Sequence, residues 1–227
     1  MLIEIFADVV CPWCYIGKRR LDRALITRGS TAVDLRWLPF QLNPDMPADG
    51  MDRFAYLSLK FGSRERALQV LTMLEQTAER DGIPLHLDLI RRTPNTVDAH
   101  RLIRFTDRSG KSSAMIDKLF DAYFVEGLDT GDLAVLAGLA AELGIDRIAA
   151  EDFLASDDER AAVRSSDINA RRLGVHAVPC FIVDQQYAIA GAHDPETFAP
   201  LFDLSSLEQM ASLETVGSPI NGAGIGG

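Results

Sequence analysis

The sequence predicts an α/β fold in which one mixed sheet is interrupted by a large all-helical insertion. Strand-like segments open the chain and return after residue 174, whereas apolar residues between about 51 and 173 recur with helical spacing. A proline-punctuated stretch at residues 39–47 marks the point where the pattern changes. Because 47% of the 227 residues are apolar, the chain can bury a sizeable core without disulfides or metal. We therefore expect one interrupted domain.

Residues 1–44 are predicted to form the N-terminal β-α-β part of this domain. Leu2 to Ala7 predicts a short buried strand, and Ala32 to Leu38 predicts a second one. Between them, the apolar spacing from Pro12 to about Gly29 predicts an amphipathic helix. A right-handed crossover through this helix would make the two strands parallel.

Residues 45–157 are predicted to form the helical insertion, and residues 158–213 the C-terminal α-β-β-α part of the domain. The helical spacing places helices at about 51–61, 64–81, 96–108, 112–125, 132–143, 147–155 and 159–173. Cys180–Val183 and Tyr187–Ala190 predict a hairpin. A last helix is predicted from Pro195 to about Phe202, with a further short one at 205–213. Val216 to Gly227 contains five glycines and no charged residue, and residues 214–227 are therefore predicted to form a flexible tail.

The charge balance limits the classes of partner. Acidic residues outnumber Lys and Arg by 33 to 23, which gives a formal net charge of −10. This excess argues against nucleic acid or an anionic membrane surface as the main partner. No stretch approaches the roughly 20 apolar residues of a membrane-spanning helix, and the N-terminus lacks the pattern of a secretory signal. We therefore expect a cytoplasmic protein.

Two of the three cysteines lie in the motif Cys11-Pro12-Trp13-Cys14, at the predicted junction of a strand and a helix. This spacing is wrong for a framework of structural disulfides and typical of redox-active or metal-binding pairs. A helix N-terminus favours a thiolate, and Pro12 is compatible with the first helical position. We therefore predict that Cys11 is the exposed, attacking thiol and that Cys14, one turn later, is the partly buried resolving thiol.

The alternative for this motif is a zinc-binding module. A closed zinc site requires four ligands, and His176 with Cys180 is the pair that could complete it. The redox interpretation is favoured because the motif follows a strand and begins a helix within a β-α-β unit. We therefore expect no metal and no tightly bound cofactor.

Four segments together resemble the FrnE-like branch of the DsbA family over about residues 2–202. They are Phe6–Gly17, Pro39–Pro44, Pro94–Arg101 and Gly174–Pro179. The resemblance implies a thioredoxin-like fold with a helical insertion and exchange of disulfides with protein or small-molecule thiols. It also implies that Pro179 is a cis-proline, which with Val178 would present backbone groups to an extended substrate.

The same superfamily includes 2-hydroxychromene-2-carboxylate isomerases and kappa-class glutathione transferases. Their sequences contain stretches similar to Asn95-Thr96 and Ala99-His100-Arg101, so Asn95 is a further candidate for substrate binding. Those enzymes typically have serine at the position of Cys11. A glutathione-dependent isomerase or transferase is therefore the second hypothesis, and glutathione is a candidate substrate or reductant under both.

Two positions differ from the better-known members of the family. Trp13 stands where a histidine would stabilise the Cys11 thiolate, so the direction of electron flow stays open. We expect Pro12 and Trp13 to contact the substrate. Cys180 follows Pro179 directly and is predicted to be a small buried side chain. Asp8 is expected to cap the turn before Cys11, and His100 to pack in the core or lie at the surface in preference to facing the active-site groove.

Overall fold

The computed structural model describes residues 1–29 and 33–204, and a four-stranded mixed sheet lies at its centre. Its strands are β1 (Leu2–Ala7), β2 (Asp34–Pro39), β5 (Cys180–Val183) and β6 (Tyr187–Ala190), in the order β2-β1-β5-β6. β1 pairs in parallel with β2 and antiparallel with β5, and β6 pairs antiparallel with β5. The predicted parallel pair and hairpin are therefore confirmed.

Eight α-helices make up about half of the described chain. The helix α1 (Pro12–Arg28) connects β1 to β2, and seven more helices lie between β2 and β5. These are α2 (Arg53–Phe61), α3 (Arg64–Arg80), α4 (Val97–Asp107), α5 (Ser112–Phe124), α6 (Leu133–Glu142), α7 (Arg147–Ala155) and α8 (Arg160–Arg172). Each predicted helix of the insertion is confirmed to within two residues at either end.

Two features of the fold differ from the predictions. The two-residue strands β3 (Met51–Asp52) and β4 (Arg92–Thr93) pair antiparallel, and they are too short to produce an alternating pattern in the sequence. After β6 the chain forms a 3₁₀ turn at Pro195–Thr197 and becomes helical from residue 199 to 204. The predicted short helix at 205–213 and the predicted tail at 214–227 lie outside the described residues.

The insertion packs directly on the helix that carries the cysteine motif. The Tyr15 ring of α1 stacks on Phe124 of α5, with ring centroids 5.4 Å apart, and lies 5.5 Å from Phe120. All three side chains are fully buried, in one core with Ile3 and Ile5 of β1. Burial of such aromatic rings fixes α5 against α1. Insertion and sheet therefore share one hydrophobic core, whereas the domain boundaries given above stay a prediction.

Candidate active site

The cysteine motif lies where β1 turns into α1. The backbone N–H of Cys11 donates to the carbonyl oxygen of Asp8 at 3.0 Å, which reverses the chain direction, and Pro12 occupies the first helical position. Cys11 is the N-cap of α1, where backbone N–H groups lack partners within the helix. The predicted position of the motif at a strand-to-helix junction is therefore confirmed.

The Cys11 sulfur occupies the place of an N-cap oxygen. It accepts a hydrogen bond from the backbone N–H of Cys14 at 3.4 Å, and its thiol faces the carbonyl oxygen of Val178 at 3.7 Å. An N–H aimed at the sulfur and the positive end of the α1 dipole both favour the thiolate. The prediction of an exposed Cys11 is wrong, because the residue retains only 4% of its accessible surface. The segment around Val178 lies over the sulfur and covers it.

Cys14 differs from Cys11 in its surroundings rather than in its exposure. The prediction of a partly buried Cys14 is wrong, because the residue is 1% exposed. This burial raises the pKa of the Cys14 thiol well above its usual range. The hydrogen bond with Cys11 and the charge of Cys11 raise the Cys14 pKa further. The backbone amide of Asp8 lowers it, and the Asp8 charge raises it. Cys14 is therefore held as a neutral thiol behind the helix N-terminus.

The peptide bond between Val178 and Pro179 is cis, and this segment lies against α1. The Pro179 ring packs on Gly17, where an added Cβ would lie 2.7 Å from the proline Cγ. The Pro179 carbonyl oxygen accepts a hydrogen bond from the N–H of Gly191 at 2.7 Å, which holds the segment at the start of β5. The structure therefore brings Val178 and Pro179 together with Cys11, although their part in substrate binding stays a prediction.

A buried carboxylate and a buried imidazole lie behind the motif. Asp8 is 1% exposed, and its Oδ2 accepts a hydrogen bond from the backbone N–H of Leu42 at 2.7 Å. His100 of α4 is 3% exposed, and its Nε2 lies 3.5 Å from Asp8 Oδ1. The prediction for Asp8 is corrected, because its backbone carbonyl and not its side chain makes the turn to Cys11. The sequence signal for this pair is a single carboxylate within the apolar run before Cys11.

A small pocket of about 50 Å³ opens beside Pro12, between α1 and the helices α2 and α3. Its apolar wall includes Val10, Leu42, Leu57, Phe61, Val70, Leu71 and Leu74. Arg53 and Lys60 supply the cations of this pocket, and within residues 1–29 and 33–204 neither has a carboxylate partner. Arg53 is buried and donates to Thr93 Oγ1 at 3.2 Å. A larger hollow lies at the opposite end of α1 from the motif.

The remaining candidates have local partners. Asn95 donates from Nδ2 to the Met46 carbonyl oxygen at 2.7 Å, and its Oδ1 accepts from the N–H of Val97 at 3.0 Å. Both polar groups of Asn95 therefore tie the loop after β2 to the start of α4, which favours a structural role. Trp13 is half-buried and borders a shallow hollow with Arg80 of α3.

Cys180 lies on β5 opposite Phe6 of β1 and is 6% exposed, as predicted for a small buried side chain. Burial raises the pKa of the Cys180 thiol. Among the described residues, no three His, Cys, Asp or Glu side chains are placed to hold a metal ion. The four ligands of the zinc alternative are thus not brought together, and His176 is exposed. The same residues contain no helix long and apolar enough to span a membrane.

Comparison with known proteins gives concordant results. The model of the DSBA-like thioredoxin domain family matches residues 2–203. A probable DsbA oxidoreductase from Streptomyces coelicolor is 26% identical, covers 100% of both chains and superimposes with a TM-score of 0.81. A 2-hydroxychromene-2-carboxylate isomerase covers 96% of this chain and 100% of its own, with 19% identity and a TM-score of 0.66. The cytosolic disulfide reductase DsbM from Pseudomonas aeruginosa, whose structure was solved with GSH, covers 94% of this chain and 100% of its own. It is 20% identical, with a TM-score of 0.61.

Proposed function

The chain belongs to the DsbA-like thioredoxin domain family, and from this premise we propose that it is a thiol-disulfide oxidoreductase. Its Cys11–Cys14 pair exchanges disulfides with protein or small-molecule thiols. The observation that carries the proposal is the setting of the Cys11 sulfur. At the N-terminus of α1 it receives the Cys14 N–H, and it lies 3.7 Å from the Val178 carbonyl oxygen.

The first step is attack of the Cys11 thiolate on a substrate disulfide. A new bond joins Cys11 Sγ to one substrate sulfur, and the other substrate sulfur leaves as a thiolate. In the second step Cys14 Sγ attacks Cys11 Sγ, which releases the first substrate sulfur and leaves the pair oxidised. The reverse sequence oxidises a substrate dithiol. The unequal surroundings of the two thiols support this division of roles, because only Cys11 has its sulfur at the helix N-terminus.

The surroundings of Cys11 favour an extended polypeptide as the protein substrate. The cis segment places the Val178 backbone beside Cys11, where main-chain hydrogen bonds could add a substrate strand regardless of its sequence. Within the motif, Pro12 lines the apolar pocket beside α2 and α3, and Trp13 borders a shallow hollow beside α3. A substrate side chain could contact both residues there.

Glutathione is the small thiol that the charges near Pro12 favour. It carries two carboxylates, and the pocket beside Pro12 offers Arg53 and Lys60 without carboxylate partners among the described residues. DsbM, which shares this fold, is a cytosolic disulfide reductase whose structure was solved with GSH. We propose the cytoplasm as the compartment of this chain as well, with glutathione as substrate or reductant rather than as a tightly bound cofactor.

A glutathione-dependent isomerase or transferase is the second candidate function. The same cationic pocket and the structural likeness to the isomerase favour it. In that reaction Cys11 would orient the glutathione thiol without net oxidation or reduction. Formation of glutathione disulfide when a disulfide substrate is supplied therefore separates the two functions, because an isomerase or a transferase forms none.

Reduction of insulin disulfides by the purified protein with glutathione tests the proposal. We expect Cys11→Ser to abolish turnover, because no nucleophile remains at the N-cap of α1. Cys14→Ser should instead accumulate a mixed disulfide, because attack proceeds and resolution does not. Cys180→Ser is the matched control and should keep the wild-type rate, since this thiol lies on β5 and takes no part in the exchange. Full turnover by Cys11→Ser would overturn the proposal.

A further inference from the structure

The helix α3 lies beside both middle residues of the cysteine motif. Next to Pro12, its residues from Val70 to Leu74 supply apolar side chains to the small pocket. Next to Trp13, its residues Thr77 and Arg80 line the shallow hollow, which has a volume of about 400 Å³. The ten residues between the two ends of this stretch rise by about 15 Å along the helix axis, the length of about four or five residues of extended chain. The helix therefore follows the motif over the length of a short substrate segment.

One guanidinium, that of Arg20, engages both carboxylates of the hollow beside Trp13. Its Nε donates to Asp81 Oδ2 at 2.6 Å, and its Nη1 lies 3.0 Å from Asp194 Oδ1. The same Nη1 donates to the carbonyl oxygen of Ala192 at 2.6 Å. Because Asp81 ends α3 and Ala192 follows β6, these contacts join α1 to the end of α3 and to the last part of the sheet. The two carboxylates of the hollow therefore already have a cationic partner.

Arg80 is the cation of this hollow that has no such partner. The residue is exposed, and its Nη2 donates to Thr77 Oγ1 at 3.3 Å. The Thr77 hydroxyl is itself fixed, because it donates to the Met73 carbonyl oxygen at 2.9 Å. In the part of the chain that the structure describes, no carboxylate pairs with Arg80. A guanidinium has five N–H donors, so most of the donors of Arg80 stay available to an anion in the hollow.

The charge around the motif has the opposite sign to that of the whole chain. Arg23 of α1 donates to the Asp81 carbonyl oxygen, so three arginines stand against two carboxylates at the hollow, an excess of one positive charge. At the other end of the same stretch, Arg53 and Lys60 add two cations without carboxylate partners among the described residues. The chain as a whole has a formal net charge of −10. A local cationic region on an acidic protein attracts anionic groups to that region.

We propose that the hollow beside Trp13 binds an acidic side chain of a polypeptide substrate, next to the cysteine whose sulfur reacts, and that Arg80 is the residue that determines this specificity. The inference rests on the exchange proposed above and names a substrate class for it. Trp13 is two residues after Cys11, so a chain whose sulfur reaches Cys11 and passes Trp13 carries its neighbouring side chain over the hollow. A carboxylate there receives charge-assisted hydrogen bonds from the Arg80 guanidinium.

Short peptides that contain one cysteine as a pyridyl disulfide test this specificity. In one set the residue before the cysteine is Glu, Gln or Lys, and in a second set the residue after it is varied in the same way. Attack by Cys11 on the peptide sulfur forms the mixed disulfide and releases pyridinethione, which stopped-flow absorbance follows. The reduced protein is used in a Cys180→Ser background. Each rate is divided by the rate of the same peptide with uncharged β-mercaptoethanol, which corrects for the reactivity of the peptide itself.

We expect Glu peptides of at least one set to react about threefold faster than the matching Gln peptides at low salt, as for an exposed ion pair, and Lys peptides to react more slowly. Arg80→Met should bring the ratio of the Glu and Gln rates to about 1, and Arg80→Glu should reverse the order of the Glu and Lys peptides. Arg66→Met is the matched control and should keep the preference. Arg66 is an exposed residue of the same helix outside the pocket and the hollow, and its loss changes the net charge equally.

The outcomes distinguish this inference from the function on which it rests. Equal rates for Glu and Gln peptides in the parent protein, or the same preference in Arg80→Met, would overturn the subsite and leave the exchange intact. Absence of pyridinethione release with every peptide would instead overturn the proposed function. The pyridyl disulfide of glutathione is the remaining substrate. If Arg80→Met slows its reaction while the peptides show no preference, the hollow binds the carboxylate of a small thiol, and the assignment to polypeptides is wrong.

Discussion

The sulfur of Cys11 lies 3.7 Å from the backbone carbonyl oxygen of Val178, a residue 167 positions later in the chain. This approach joins the N-terminus of α1 to the cis segment before β5, and each covers the other. We therefore expect a substrate sulfur to approach Cys11 along the Val178 backbone. The contact depends on how closely Pro179 can approach α1, and at this point α1 has a glycine.

Replacement of Gly17 by alanine tests the packing of the cis segment on α1. The added Cβ would lie 2.7 Å from the Pro179 Cγ, so the segment must shift or α1 must bend. We expect a loss of about 1–3 kcal/mol in the free energy of unfolding, as for other overpacked sites, and slower insulin reduction. Urea denaturation and the insulin assay measure the two effects.

Gly138→Ala is the control for this substitution. Gly138 lies within α6 and has no described atom within 4 Å of an added Cβ, so alanine should stabilise the protein by about 1 kcal/mol through helix propensity. The same sign of change in stability for both variants would contradict the close contact between Gly17 and Pro179.

Replacement of Lys60 by methionine tests the cationic pocket. Lys60 Nζ donates to the Tyr56 hydroxyl at 2.7 Å and has no carboxylate partner among the described residues, so its charge is available to an anionic thiol. We expect turnover with glutathione to fall about fivefold at low salt, which corresponds to roughly 1 kcal/mol, and turnover with uncharged β-mercaptoethanol to stay unchanged. Steady-state rates with the two thiols measure the difference.

Lys118→Met serves as the matched control, because Lys118 lies on α5 and pairs with Glu142. It should affect neither thiol. Equal losses with glutathione and β-mercaptoethanol in Lys60→Met would show that the substitution damages the site generally, and the proposed recognition of glutathione carboxylates would be wrong.

Alkaline pH should destabilise the protein through Tyr123. Burial raises the pKa of this phenol from 10.0 to about 12, so the folded state retains a proton that the unfolded state loses. The stabilisation is complete below pH 10 and is lost as the pH rises towards 12, with a slope of up to about 1.4 kcal/mol per pH unit. Urea denaturation as a function of pH measures the slope, and Tyr123→Phe should reduce it. An unchanged slope in that variant would assign the effect to other groups.

Local patterns in the sequence were sufficient for most of the fold. The helices of the insertion follow from apolar spacing, and β5 and β6 begin and end at the predicted residues because the turn between them interrupts two β-rich runs. The position of Cys11 at the N-cap follows from Pro12 in the same way. These features depend on residues that are neighbours in the chain, so a single sequence is enough to predict them.

Some features that depend on distant residues were not predicted. The exposure of Cys11 was overestimated because the covering residue, Val178, comes from the other end of the domain. The pairing of Asp8 with His100 depends on where α4 lies in the fold, and the lack of a carboxylate partner for Arg53 among the described residues depends on where α2 lies. No local pattern specifies such packing, because the same amphipathic helix can be rotated or shifted against its neighbours.

Mapping the mixed disulfide in Cys14→Ser shows which thiol attacks the substrate. The reduced variant is mixed with a cystine-containing peptide, the remaining thiols are alkylated in acid, and tandem mass spectrometry of the unreduced digest locates the peptide. We predict one peptide per chain, attached to Cys11, because only this thiol combines the helix N-terminus with access along Val178. Attachment to Cys180, or no attachment while Cys11 is alkylated normally, would contradict the assignment of Cys11 as the attacking thiol.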